Sequence, residues 1–139
     1  MQNSKRIGKT FVSDYVLIPQ KDVNQFANLT DDNQTIHVDE YNSPLGYTIV
    51  HGFLILGVLV KMAKTCLPDM DYTYSVSRGL ESVKFINPIK TNSYVNSTFT
   101  ILNEKFVNDK YMVKYNIEIF AKGEQTPSVK AVWSLASWN

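Results

Sequence analysis

Cysteine and histidine are scarce in this 139-residue chain, which contains one cysteine, Cys66, and two histidines. A single cysteine excludes an intrachain disulfide and a zinc site built from clustered cysteines, and it is compatible with a reducing compartment. We expect Cys66 to be a small apolar side chain near the end of a helix. Any histidine chemistry must therefore come from His37 and His51 alone.

An excess of charge of one sign is also missing. The chain has 14 basic and 13 acidic residues, a net charge of +1, and no basic stripe. This balance argues against nucleic acid as the main partner. The longest apolar stretch, residues 49–63, contains His51 and Lys61 and is shorter than the roughly 20 residues that a membrane-spanning helix needs. The N-terminal sequence MQNSKRIGKTF is polar and has no apolar core of a secretory signal, so we expect a cytoplasmic protein without a membrane partner.

The composition is that of an ordinary globular domain. A hydrophobic fraction of 44% and a charged fraction of 19% are typical, and the length fits one domain over residues 1–139. A chain of this size buries roughly two-thirds of its unfolded surface, so its stability requires no disulfide or structural metal.

The pattern of apolar residues predicts an α+β fold. The segment TFVSDYVLIP is typical of a strand, QKDVNQFANLT of a helix, and residues 30–46 of a loop. Residues 48–68 are apolar on all sides, which predicts a buried helix. A buried pair of strands is the alternative, but the length and the end signals favour the helix. Four long strands follow, and the alternation from Tyr111 to Ile119 is that of a strand with one buried face. We therefore expect an antiparallel sheet wrapped around a central apolar helix.

Both histidines lie in the segment TDDNQTIHVDEYNSPLGYTIVHGFL. Asp32 and His37 are five residues apart, so their side chains can meet, and a carboxylate beside an imidazole can support proton transfer next to a carbonyl while steering a water. Gly52 begins the buried helix, where its free amide can stabilise a developing enolate oxygen. Together these groups suit addition of water to an enoyl group, or its reverse.

The same segment resembles a known family. FANLTDDNQTIHVDEY followed by GYTIVHGFL is similar to the signature of MaoC-like dehydratases and (R)-specific enoyl-CoA hydratases, which is Phe-Ala-x-Leu-Ser-Gly-Asp-x-Asn-Pro-(Ile/Leu)-His-x-Asp and then Gly-x-x-Ile-Val-His-Gly. The resemblance extends more weakly over most of the chain, where VKFINPIKTNSYV matches a Phe-x-x-Pro-Val strand. It implies the hot-dog fold, an antiparallel sheet around a central helix.

The resemblance also implies an activity and a set of site residues. Asp32 and His37 take the positions of the catalytic pair, and Gly52 takes that of the residue whose amide binds the thioester oxygen. We group His51 with Gly52 as substrate-binding, expecting it to satisfy a backbone group or to shape the acyl pocket. The implied protein is a homodimeric lyase without metal or cofactor. It would interconvert trans-2-enoyl and 3-hydroxyacyl thioesters of CoA or acyl carrier protein, in fatty-acid metabolism or in polyketide and other secondary-metabolite biosynthesis.

Departures from the family pattern leave alternatives open. Asp31 replaces a Gly, Gln34 and Thr35 replace Asn-Pro, and Asn92 stands where a Gly-Asp turn usually supplies its Asp. An acyl thioesterase or a catalytically altered acyl-binding protein is therefore an alternative function. Asp39 can orient His37 or serve only as a loop carboxylate. Two histidines and a carboxylate are also the ligand set of non-haem iron enzymes, although those ligands normally come from separate strands.

Overall fold

The computed structural model describes residues 6–139. The predicted absence of a secretory signal depends partly on residues 1–5, which lie outside this range. Within it, the elements in chain order are β1 Thr10–Val12, β2 Val16–Ile18, α1 Gln20–Thr30, α2 Thr35–Val38, α3 Gly52–Ala63, a short 3₁₀ helix Pro68–Asp71, β3 Tyr74–Phe85, β4 Ser93–Val107, β5 Lys110–Ala121 and β6 Val129–Trp138.

The six strands form one sheet in the order β1-β4-β5-β6-β3, and β2 also pairs with β4. All pairings between these strands are antiparallel. Strands β4 and β5 form a hairpin whose turn residues, Asn108 and Asp109, have φ of 51° and 62°. Asn and Asp tolerate this left-handed conformation better than other residues with a side chain, which explains the sequence of the turn.

Strand β5 confirms the predicted alternation. Every second side chain from Tyr111 to Ile119 is buried against the core, while the residues between them are only partly buried. The predicted first strand is divided instead into β1 and β2. The break occurs at Ser13, whose N–H still donates to the Ser97 carbonyl at 2.9 Å, whereas its hydroxyl oxygen accepts the Ser97 N–H at 2.9 Å. A side-chain oxygen therefore takes the place of the backbone carbonyl at this point of the ladder.

Helix α3 packs one face against the concave side of the sheet. Ile55, Leu59 and Met62 are buried there. The prediction of a helix buried on all sides is wrong for the opposite face, because Phe53 is 79% exposed and Val60 is 45% exposed. The sheet covers only one side of the helix. Within residues 6–139, no helix is both long and apolar enough to cross a membrane.

A buried carboxylate holds the chain beyond the C-terminal end of α3. Asp69, in the short 3₁₀ helix, is fully buried. It accepts hydrogen bonds from the Tyr115 hydroxyl of β5 at 2.5 Å and from the Ser137 hydroxyl of β6 at 3.0 Å. Because both strands belong to the central sheet, these bonds fix the connection between α3 and β3.

Candidate functional site

The loop between α1 and α3 brings the predicted site residues together. Helix α1 ends at Thr30, and the residue that caps it, Asp31, has φ of 59°. This is the left-handed conformation that glycine favours and that Asp tolerates, so the family's Gly and this chain's Asp can serve the same turn. The turn places Asp32 in front of α2, which carries His37. The segment predicted as a loop therefore contains one short helix.

His37 is buried, with 6% of its surface exposed. Its Nδ1 lies 2.7 Å from the backbone carbonyl oxygen of Ile49. A carbonyl can only accept a hydrogen bond, so Nδ1 carries the proton, and Nε2 of the neutral ring keeps its lone pair. The fold thus presents His37 in the tautomer whose Nε2 can accept a proton.

The Asp32 side chain faces that nitrogen. Its Oδ2 lies 3.8 Å from His37 Nε2, and the side chain is 42% exposed. The Gln34 side-chain amide donates a hydrogen bond to Oδ1 at 2.8 Å. This bond, with a smaller contribution from the nearby imidazoles, lowers the pKa of Asp32 below its ordinary value of 3.8. Asp32 is therefore ionised at neutral pH.

When the His37 ring is neutral, the ring and the Asp32 carboxylate present two hydrogen-bond acceptors to each other. Two acceptors 3.8 Å apart cannot satisfy each other, but a water molecule has two O–H groups and can donate one to each. Such a water would be held by a carboxylate and beside a base. This arrangement can deliver a water, or a hydroxide equivalent, to a substrate carbon.

Gly52 and His37 line the same cavity, which has a volume of about 410 Å³. Gly52 begins α3, and among residues 6–139 its backbone N–H has no hydrogen-bond acceptor. The start of a helix carries the positive end of its dipole, so this N–H can bind an anionic oxygen. Most of the remaining wall is apolar: Ile49, Val50, Phe53, Ile55, Phe85, Ile86, Pro88 and Ile89. The cavity can accept an acyl group with one polar end.

His51 lies behind His37 and is only 2% exposed. The two rings stack with centroids 3.9 Å apart and an interplanar angle of 24°, and His51 Nε2 lies 2.8 Å from the backbone carbonyl oxygen of Asp32. Its Nδ1 has no partner among the described residues. Neither His51 nor Asp32 is part of the cavity wall, and Asp32 is connected to the cavity by its contact with His37. The contact with the Asp32 carbonyl fits the first of the two roles expected for His51, that of satisfying a backbone group, and the ring also stacks behind His37; its grouping with Gly52 as substrate-binding stays a prediction.

The stacked rings also bear on the iron alternative. Potential ligand atoms of Asp32, His37 and His51 all lie within 4.8 Å of one another. However, an imidazole lone pair lies in the plane of its ring, so the lone pairs of two nearly parallel rings do not converge on one ion. Each ring also has one nitrogen engaged with a backbone carbonyl. This geometry does not suit a metal centre.

Gln20 and Thr48 were not identified from the sequence as supports of the site, and Asn92 was noted only as a departure from the family pattern. The Gln20 side chain donates to the backbone carbonyl of His37 at 2.8 Å and accepts from the Thr48 hydroxyl at 2.6 Å. The backbone amide of Gln20 is in turn bound at 2.9 Å by Asn92 Oδ1. Asp39, in contrast, accepts hydrogen bonds from Asn42 and serves as a loop carboxylate. The only sequence features that could have indicated this support were a polar residue at the start of a helix, Gln20, and an asparagine in a loop, Asn92.

The antiparallel sheet wrapped around one central helix defines this protein as a hot-dog fold, with an Asp-His pair in the segment before that helix. Residues 2–121 match the model of the MaoC-like domain family. The chain belongs to this family.

Relatives and solved structures agree with the assignment. The chain is 33% identical to nodulation protein N of Rhizobium meliloti (strain 1021) over 134 residues, covering 91% of this chain and 83% of that protein. It is 31% identical to 3-hydroxyacyl-thioester dehydratase Z of Mycobacterium tuberculosis (strain ATCC 25618 / H37Rv) over 123 residues, covering 86% and 82%. The (R)-hydratase from A. caviae involved in PHA biosynthesis aligns with a TM-score of 0.73 at 18% identity, covering 99% of this chain and 100% of that one. At that identity the structure supports the fold alone.

Proposed function

We propose that this protein is a hydro-lyase that interconverts trans-2-enoyl and 3-hydroxyacyl thioesters. The observation that carries the proposal is the cavity in which the unbonded Gly52 N–H and the buried His37 lie together, with the Asp32 carboxylate 3.8 Å from His37 Nε2. The relationship to a 3-hydroxyacyl-thioester dehydratase at 31% identity supports the same class of reaction.

Each group has a defined task in the hydration direction. The thioester carbonyl oxygen accepts the Gly52 N–H, which stabilises the enolate that forms when the water oxygen bonds to C3. Asp32 positions that water. His37 accepts the proton that the water loses and returns a proton to C2, so that the product carries a hydroxyl on C3 and a hydrogen on C2. Dehydration follows the same steps in reverse.

The substitutions Asp32→Asn and His37→Ala test this assignment. We expect each to lower kcat/KM for a crotonyl thioester by roughly 10²- to 10⁴-fold, the range typical of a positioned acid or base. The loss of absorbance at the conjugated enoyl-thioester band measures the reaction, and circular dichroism checks that both variants fold. No absorbance change with wild-type protein across chain lengths and both carriers would refute the proposal.

The alternative functions give different products in the same assay. Hydrolysis of the thioester releases a free thiol, whereas hydration adds the mass of water and leaves the thioester intact. A protein that only binds acyl groups would retain the ligand unchanged. Mass spectrometry of the product, together with a thiol reagent, therefore separates a thioesterase and an acyl-binding protein from a hydratase.

The carrier, the pathway, the assembly and the compartment are further parts of the proposal. We propose CoA or an acyl carrier protein as the carrier, and fatty-acid or polyketide metabolism as the setting. No metal or cofactor is needed for the chemistry described above. A homodimer is supported by β3, an edge strand that pairs only with β6 among the described residues. The single cysteine is compatible with the cytoplasm.

A further inference from the structure

Position 52 requires a glycine for a steric reason. Its backbone does not lie in the left-handed region that requires glycine. A Cβ atom at position 52 would come within 2.8 Å of Cε1 and 2.9 Å of Cζ of the Phe85 ring, closer than two carbon atoms can pack. The ring of Phe85 therefore rests directly against the backbone whose N–H is proposed to bind the thioester oxygen.

Phe85 is held in this position by the end of the sheet and not by the core. It is the last residue of β3 and pairs with Val129 of β6. The next amide, Ile86 N–H, donates to the carbonyl of Ser128 at 2.7 Å. Yet the Phe85 side chain is 52% exposed and forms part of the cavity wall. A large apolar side chain on a fixed backbone that lines a cavity is suited to contact a ligand.

These positions constrain the first two carbons of a bound acyl group. If the thioester oxygen binds Gly52 N–H, C1 lies beside the Phe85 ring, and C2 must also be within reach of His37 for proton transfer. Both side chains line the same cavity. In this pose C2 would pass between the imidazole and the Phe85 ring.

We propose that Phe85 is a specificity-determining residue that restricts the site to acyl thioesters without a substituent on C2. This inference rests on the proposed function, because it needs the thioester oxygen at Gly52. A methyl group on C2 would have to occupy the space of the ring, or would push C2 away from His37. Substituents at C3 and beyond are not limited by this contact.

Phe85→Ala tests the inference with two substrates, the crotonyl and 2-methylcrotonyl thioesters of CoA or of the carrier protein that the wild type accepts. We expect the wild-type kcat/KM to be about 10- to 200-fold higher for the crotonyl than for the 2-methylcrotonyl thioester, which is the range for rejecting one extra carbon by packing. Phe85→Ala should lower this ratio at least tenfold. Phe85→Leu, which preserves part of the apolar volume, should give an intermediate ratio. Phe106→Ala is the matched control, because Phe106 is 71% exposed in the β4–β5 hairpin and should leave the ratio unchanged.

A double substitution tests the contact itself. Gly52→Ala retains the N–H but forces the Phe85 ring to move, so crotonyl turnover should fall at least tenfold. Adding Phe85→Ala removes the ring that the new Cβ meets and should recover most of that loss, a coupling between the two sites that independent positions would not show.

The outcomes separate this inference from the function on which it rests. Wild-type protein that hydrates neither substrate refutes the function. Wild-type protein that hydrates crotonyl and 2-methylcrotonyl thioesters equally well, or a ratio that is unchanged in both Phe85 variants, refutes the role of Phe85 and leaves the function intact. A Gly52→Ala loss that the second substitution does not relieve also counts against the contact.

Discussion

At the scale of single residues, Gln34 lowers the pKa of the proposed catalytic carboxylate. Its amide donates to Asp32 at 2.8 Å and is the main cause of the lowered pKa of that group. Gln34→Leu removes the donor, so the pKa of Asp32 should rise and a smaller fraction should be ionised in acid. We expect the acid-side fall of kcat/KM for a crotonyl thioester to move to higher pH, measured as a pH–rate profile.

The control for this prediction is Gln125→Leu, which makes the same chemical change at an exposed position in the turn between β5 and β6. Its pH profile should match that of the wild type. An acid limb of Gln34→Leu that stays in place or moves to lower pH would contradict the proposed link between Gln34, the charge of Asp32 and activity.

The sequence was enough to predict the side chains that we propose to react, but not the residues that support them. Asp32 and His37 were found because their types and spacing are characteristic, and the structure brings the two side chains together. The group that fixes the tautomer of His37 is the backbone carbonyl of Ile49, and any residue type at position 49 would supply it. The position of His51 behind His37 depends on how α3 enters the fold, which spacing alone cannot show.

At the scale of secondary structure elements, Asp69 ties the short 3₁₀ helix to β5 and β6. Asp69→Asn leaves one acceptor oxygen for the two hydroxyl donors, Tyr115 and Ser137. We expect a loss of about 1–3 kcal/mol in the free energy of unfolding, the cost of one buried group without a partner. Denaturant unfolding measures it. Asp71→Asn, at an exposed position of the same short helix, should change stability by less than about 0.5 kcal/mol.

The effect of Asp69→Asn on the free energy of unfolding should depend on pH in a defined direction. Burial raises the pKa of Asp69 above its ordinary value of 3.8, against the opposing effect of the two hydroxyl donors. The folded state therefore keeps the carboxyl proton of Asp69 to higher pH than the unfolded state does. The contribution of Asp69 to stability is then lost as pH rises through the raised pKa. The difference in unfolding free energy between wild type and Asp69→Asn should therefore be smaller at neutral pH than near pH 3.8. A difference that grows with rising pH would contradict this.

Elements marked by a clear local pattern of residues along the sequence were predicted well, whereas elements shaped by contacts between distant parts of the chain were not. The helix over residues 20–30 and the long strands β4 and β5 follow from periodicity and turn residues, and the structure confirms them. The division of the first strand depends on a bond between Ser13 and Ser97, 84 positions apart. The apolar surface of α3 predicted burial on all sides, but what covers each side depends on the path of the whole sheet.

At the scale of the whole molecule, apolar surface remains exposed beside the site. Phe53 is 79% exposed on α3, Phe85 is 52% exposed, and Val76 of β3 is 46% exposed. Strand β3 is also an edge of the sheet, with one side unpaired among the described residues. An edge strand with unpaired backbone groups and apolar side chains favours pairing with another chain. A second copy joined at β3 would extend the sheet and cover the apolar side chains of this edge, such as Val76.

Val76→Lys tests this assembly. A lysine on an edge strand disfavours pairing with another strand, because pairing would bring its charge into an apolar contact. We expect wild-type protein to have twice the chain mass of 15.9 kDa by light scattering after size exclusion, and Val76→Lys to shift toward a single chain. Val107→Lys makes the same change at a residue that is 41% exposed where β4 ends, far from the β3 edge, and should leave the mass unchanged. A wild-type protein with the mass of one chain, or a Val76→Lys variant that keeps the doubled mass, would mean that the exposed edge of β3 is not the dimer interface.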